Sequence, residues 1–154
     1  VDWCDAYAYC KGVGKRLCGK IGGGANAYDE YADANTSQWY KVCSSNGQFA
    51  YPYGDTYAGS PCNGKDPGPL TTVPVASLSD CQSSSSGYTG VYDLSGNVWE
   101  WEDSCSGTSG TSDFCRVRGG SFYFNGSNLR CDVDYYYARG HSYAYFGFRC
   151  CSDP

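Results

Sequence analysis

The sequence predicts an α+β domain poor in regular structure: short helices, a small antiparallel sheet towards the C-terminus, and long irregular loops held by several disulfides. Three observations predict it. Leu, Ile, Val and Phe make up only 21 of 154 residues, too few for an ordinary aliphatic core, while 16 Tyr, 4 Trp and 11 Cys supply rings and covalent ties instead. Gly, Asn, Asp, Ser and Pro interrupt the chain so often that no periodic stretch lasts long. The clusters of β-forming residues lie towards the C-terminus. A chain of this size buries roughly two-thirds of its unfolded surface, and no repeat, heptad or linker divides it, so one domain is expected over residues 1–154.

The first element is a short helix. Ala6, Tyr9, Cys10 and Val13 recur at three- and four-residue spacing, and Gly14 stands where a left-handed residue closes a helix. Cys10 and Cys18 are read as staples, because buried cysteine in an oxidised domain is far more often structural than reactive. Residues 22–35, rich in Gly, Ala, Asn and Asp, read as a loop, and Ser37 stands near the start of a second short helix reaching Cys43. Turn residues then dominate: Asn46-Gly47, Asp66-Pro67-Gly68 and the run Ser83–Ser86 punctuate segments 44–71 and 79–90, around brief apolar pieces such as Val73-Pro74-Val75. Loops of that length need tying down, by disulfides or bound cations. Val98-Trp99-Glu100-Trp101, Arg116-Val117-Arg118 and the stretch Phe146–Cys150 read as strands, expected to pair antiparallel.

Composition also limits function. Eleven cysteines without regular C-x-x-C pairs, beside a single histidine, argue for disulfides and an oxidising, secreted or cell-surface location rather than zinc ribbons. The odd count leaves one thiol free, bonded to another chain, or paired with a cysteine outside this sequence. The absence of methionine points to a processed or partial chain. No apolar run approaches the roughly 20 residues that span a bilayer, so membrane insertion is not expected. With 16 acidic against 11 basic residues, nucleic acid is not an expected partner either.

Ordered motifs carry a family resemblance. Gly14-Lys15-Arg16-Leu17, Tyr51-Pro52-Tyr53-Gly54-Asp55, the segment Gly90-Val91-Tyr92-Asp93-Leu94-Ser95-Gly96-Asn97-Val98-Trp99-Glu100-Trp101, and Arg116-Val117-Arg118-Gly119-Gly120-Ser121-Phe122 followed by Gly147-Phe148-Arg149 resemble the formylglycine-generating enzyme, or sulfatase-modifying factor, family over nearly the whole chain. The resemblance implies a variant of the C-type lectin fold, and that an N-terminal strand region of the family domain is missing from this sequence. It also implies a candidate reaction. Oxidase members bind copper(I) through two cysteines a few residues after the Gly-Gly-Ser, a task for soft thiolates. Counting from Ser121 puts those positions at Phe124 and Leu129; counting back from Ala138-Arg139 puts them at Gly126 and Cys131. Either register leaves at most one thiolate, so no copper is expected, and Ser121 and Trp99 match residues lining the enzymes' pocket. Cys131 is either a remnant ligand or the disulfide partner of a downstream cysteine such as Cys150 or Cys151, and the oxidised setting favours the second.

Other catalytic readings are weaker. His141 is the lone histidine, which excludes the iron chemistry of some relatives and leaves a serine nucleophile without an orienting frame. Glu100 with Glu102, and Asp132 with Asp134, face one way on a strand as glycosidase acids do, but simple alternation generates such pairs.

Calcium is the expected cofactor. It takes six to eight hard oxygens, and the resemblance implies ligands at Asp93, Gly96, Val98 and Glu100, with a weaker second set at Asn63, Gly64, Asp66 and Gly68. Asn35-Thr36-Ser37 and Asn125-Gly126-Ser127 match the N-glycosylation pattern. Tyr135, Tyr136, Tyr137, Tyr143 and Tyr145 form the densest aromatic feature; successive strand residues point to opposite faces, so some of these rings are surface candidates for protein or glycan contact. Two functions follow as expectations: an extracellular, non-catalytic binding or self-assembling module, or a copper-dependent oxidase with an atypical thiolate site.

Overall fold

The computed structural model describes every residue except Pro67, Ser109, Asp153 and Pro154. Asp2 caps helix α1 (Trp3–Gly12), its carboxylate accepting the Asp5 N–H at 2.8 Å, and Gly14 follows in the left-handed region at φ 73°. The buried stripe is Trp3, Ala6 and Cys10, whereas Tyr9 and Val13, expected on the inner face, are exposed. Their positions are corrected because the tryptophan ring and the Cys10 disulfide fix which side of the helix turns inward. Strand β1 (Arg16–Leu17) follows, and then helix α2 (Gln38–Cys43), whose cap Ser37 accepts the Tyr40 N–H at 3.0 Å.

The main sheet has the order β4-β3-β2-β5. Strand β2 (Trp99–Cys105) runs antiparallel to β3 (Phe114–Arg118), and β3 antiparallel to β4 (Tyr136–Ala138). Strand β5 (Phe146–Phe148) lies on the other side of β2 and is parallel to it, pairing Trp99 with Phe146 and Trp101 with Phe148. The all-antiparallel expectation fails there. Loop 139–145 carries the chain from one edge of the sheet to the other instead of turning it back in a hairpin. The predicted strand Phe146–Cys150 is also divided: past Arg149 the chain forms β6 (Cys150–Cys151), which pairs with β1 in a separate two-stranded sheet.

Five disulfides join Cys10 to Cys150, Cys18 to Cys151, Cys43 to Cys131, Cys62 to Cys81 and Cys105 to Cys115; Cys4, exposed on α1, is the free thiol. Cys131 thus pairs upstream with Cys43, not with Cys150 or Cys151, because β6 places that pair beside α1 and β1.

Alternation along β2 separates two interiors. Trp99 and Trp101 enter a cluster with Trp3, Ala6, Leu17, Val117 and Phe146. Glu100 and Glu102, also buried, point the other way, towards Trp39 and Ser37 at the start of α2. A smaller apolar cluster of Trp39, Cys43, Leu94 and Cys131 lies on that side.

Candidate functional site

Glu100 and Glu102 share one face as alternation predicts, and each carboxylate is held by an arginine. Glu100 Oε2 accepts from Trp39 Nε1 at 2.7 Å and from Arg149 Nε at 2.5 Å, and its Oε1 accepts from Arg149 Nη2. Glu102 Oε1 accepts the Ser37 hydroxyl at 2.7 Å, while its Oε2 lies 3.4 Å from Arg118 Nε, with both side chains fully buried. Burial pushes the Glu102 carboxyl up, opposed by the Arg118 charge and the Ser37 hydrogen bond. Asp132 and Asp134 are likewise engaged, by Arg130 and Arg116. Burial, an arginine and a neutral donor at each strand carboxylate make up a structural network.

The calcium candidates divide. Asp93, left-handed at φ 61°, is buried; its Oδ2 accepts the Ala76 N–H at 2.8 Å and its Oδ1 has no hydrogen-bond partner among the described residues. Burial raises its carboxyl, against the Ala76 hydrogen bond and the Arg149 charge. Glu100 accepts three hydrogen bonds, from Arg149 and Trp39, and Gly96 packs so close to the Asn63 carbonyl that a Cβ there would collide with it. Val98 lines a cavity of 380 Å³ together with Asp93, Glu100 and Arg149. Calcium at this set would have to displace the Arg149 guanidinium from Glu100.

The second set offers more open oxygens. Asn63 Oδ1 is buried without a hydrogen-bond partner among the described residues, and a Cβ at Gly68 would lie 3.0 Å from it and strike the Gly64 carbonyl. Those two oxygens converge over Gly68, a small oxygen-lined cradle. Asp66 points elsewhere, its carboxylate accepting from Asn125 Nδ2 at 2.7 Å, and the central Pro67 of the predicted turn lies outside the described residues. Asn97 was not singled out from sequence, yet it ties this loop to the other: its N–H reaches the Asn63 carbonyl at 2.8 Å and its Oδ1 accepts from Asn63 Nδ2 and Val73 N–H.

The positions matching the copper ligands carry no thiolate. In one register Phe124 packs edge-on against Trp99 at 5.5 Å and Leu129 is buried; in the other Gly126 opens a 3-10 turn and Cys131 is bonded to Cys43. Ser121 and Trp99 are both buried.

The aromatic residues form two surfaces. Tyr135 turns inward to stack on Trp99 at 4.9 Å, and Tyr137 packs against Phe146 at 4.8 Å. Tyr136 points the other way, 46% exposed, towards Phe114 and Tyr28, where the Arg116 guanidinium lies 3.9 Å over the Tyr28 ring. On the first surface Tyr143 and Tyr145 stack at 5.2 Å with planes 4° apart, and Tyr123 meets Tyr145 edge-on. Tyr123 is 51% and Tyr143 41% exposed. Exposed His141 lies against Tyr137 and Tyr143. Tyr123, Tyr28 and Phe114 escaped the sequence reading, because contacts between distant segments leave no local pattern. Asn35 and Asn125 are both exposed. Among the described residues no helix is long and apolar enough to cross a membrane.

The sequence profile of the sulfatase-modifying factor enzyme 1-like domain matches residues 1–154. CarF superposes with a TM-score of 0.67 at 21% identity, over 97% of this chain and 65% of CarF. A variable protein from Treponema denticola, variable protein 1, superposes with a TM-score of 0.69 at 17% identity, over 100% of this chain and 70% of that one. This chain therefore spans only about two-thirds of each neighbour. What they share with it is the fold, an α+β, loop-rich, C-type-lectin-like arrangement. Comparison with curated proteins returns no match.

Proposed function

The chain belongs to the sulfatase-modifying factor enzyme 1-like family, and we propose that it serves as an extracellular, non-catalytic binding module whose exposed tyrosines contact a protein or glycan, or a second copy of itself. The observation that carries this reading is the cluster of exposed Tyr123 and Tyr143 with partly buried Tyr145, beside exposed His141. Such rings give a partner large contact area at low entropic cost, because little rotamer freedom remains to be lost. Neighbouring rings already hold them in place. Five disulfides support an oxidising location. A non-catalytic role draws support from the Cys43–Cys131 disulfide, which consumes the thiol that the copper reading needs.

A structural calcium ion belongs to this proposal at Asn63 and Gly64. It would draw these two neutral oxygens together, with water completing its shell of six to eight oxygens. Chelation with EDTA is expected to lower the thermal midpoint by more than a few degrees, since an ion bound only by the native state stabilises it by mass action. An unchanged midpoint removes calcium from the proposal.

The binding role is tested on immobilised glycans and extracellular proteins, with the wild type compared with the double variant Tyr123→Ala, Tyr143→Ala. A signal reduced at least tenfold at an unchanged melting temperature supports the aromatic surface. Equal signals from both proteins remove it.

A further inference from the structure

We propose that Arg149 is itself the cation of the Glu100 site, so that the turn carrying Asp93, Gly96, Val98 and Glu100 is set by an internal guanidinium and takes no metal ion. Three features carry this inference. The first is valence. Both oxygens of Glu100 accept from the Arg149 fork, and Oε2 accepts Trp39 Nε1 as well, so the carboxylate has little left to offer an ion that needs six to eight oxygens. The second is reach. Arg149 Nη2 also donates to the Tyr92 carbonyl at 3.1 Å, so one planar group spans from strand β2 to the residue before Asp93. A bound ion would bridge the same two ends of the turn.

The third is anchorage. Phe148 is paired with Trp101, the Arg149 carbonyl accepts the Cys18 N–H, and Cys150 and Cys151 are bonded to Cys10 and Cys18. Covalent and hydrogen bonds on both sides hold the backbone at Arg149, so this cation cannot be withdrawn by a chelator. The adjoining cavity is lined by the apolar side chains of Val75, Val91, Val98 and Phe148 beside Asp93, Asn97 and Glu100, and the Arg149 guanidinium supplies the positive charge among those oxygens. Arg149 is a positioning residue for the turn, and this role is independent of whether the Asn63 cradle takes calcium.

The experiment follows calcium binding by equilibrium dialysis and melting in EDTA-stripped full chains of the wild type, Asp93→Asn and Arg149→Met. Asparagine tolerates the left-handed backbone of residue 93 and can still accept the Ala76 N–H. Asp93→Asn is expected to bind as many calcium ions as the wild type, with the same calcium-dependent shift in melting. Arg149→Met is expected to melt lower, to bind about one ion more than the wild type, and to recover part of its loss in millimolar calcium. Loss of a bound ion in Asp93→Asn, or a folded Arg149→Met that gains none, overturns the proposal. Should Arg149→Met fail to fold, Arg149→Lys serves: it keeps the charge without the fork, and a lower midpoint without added calcium binding is expected, whereas a midpoint equal to wild type overturns the fork's role.

Discussion

Neighbouring residues of β2 look into interiors of opposite kind. On one side Trp99 and Trp101 lie among rings, with Tyr135 stacked on Trp99 and Phe146 edge-on to Trp101. On the other, Glu100 and Glu102 lie among arginines, an indole N–H and a hydroxyl. The apolar side draws its stability from area removed from water, which accumulates contact by contact. The polar side works differently. A buried charge pair roughly breaks even when complete and costs heavily when one partner is lost, so this half of the interior behaves as an interdependent set. A sequence poor in aliphatic residues fills its core volume both ways, with rings on one face and paired charges on the other.

The sharpest break of this contrast comes from Arg118→Met, which leaves Glu102 buried beside a thioether. A loss of about 3–5 kcal/mol is expected, similar in size to the about 3–5 kcal/mol of Trp99→Ala. The two faces differ in what restores them: adding Glu102→Met to Arg118→Met should recover most of the loss in urea unfolding, because the unpaired charge is gone. A double variant as unstable as Arg118→Met would show that the polar side is not a conditional set.

Next in size is the link behind the polar side. Replacing Cys43 and Cys131 with alanine should cost about 2–5 kcal/mol of unfolding free energy, since it frees the end of α2 from the segment after the 3-10 turn. Ser37→Ala should cost about 1–2 kcal/mol, as it removes both the cap of α2 and a donor to Glu102. A loss no larger than that of an exposed cap would separate the helix from the charge network.

Alkaline titration probes the ring-lined side. Burial raises the phenols of Tyr137 and Tyr145 there, and elsewhere those of Tyr28 and Tyr51, and pushes Tyr53 up to about 12. A folded state that holds these protons more tightly than the unfolded chain keeps its full advantage below pH about 10 and loses it as pH rises through the folded values. Phenolate absorbance should therefore still be rising above the ordinary tyrosine range, with unfolding accompanying that late rise. A single stage near the ordinary tyrosine value would contradict the burial. The smallest effect is expected from Tyr143→Ala, about 0.5 kcal/mol or less, as for other surface positions.

The parts legible in the sequence were those encoded within a few residues. Ser37 marked the start of α2, Gly14 the end of α1, and alternation put Glu100 and Glu102 on one face and Tyr136 opposite Tyr135 and Tyr137. Pairings between distant residues were not legible. Spacing carries no disulfide connectivity, so nothing local to Cys131 points to its partner upstream, Cys43. The direction of β5 depends on the path of loop 139–145, whose composition does not record it. Arg149 stood in view within Gly147-Phe148-Arg149, but its role required knowing that Glu100 is buried. A sequence signal existed: two carboxylates two residues apart, interleaved with tryptophans, demand two cations once the strand is buried.

The closure of the chain by β6 has a further consequence for how the molecule fails. Cys10 and Cys18 are joined to Cys150 and Cys151 across separations of 140 and 133 residues. Any single peptide-bond cleavage between residues 18 and 150 therefore leaves one covalent molecule, its ends stapled twice. A protease that nicks the long loops releases nothing until a reductant arrives, and a nicked protein migrates as an intact one on a non-reducing gel. Tension applied to the two ends is likewise borne by the paired disulfides beside α1 and β1, and little of it reaches the loops between them.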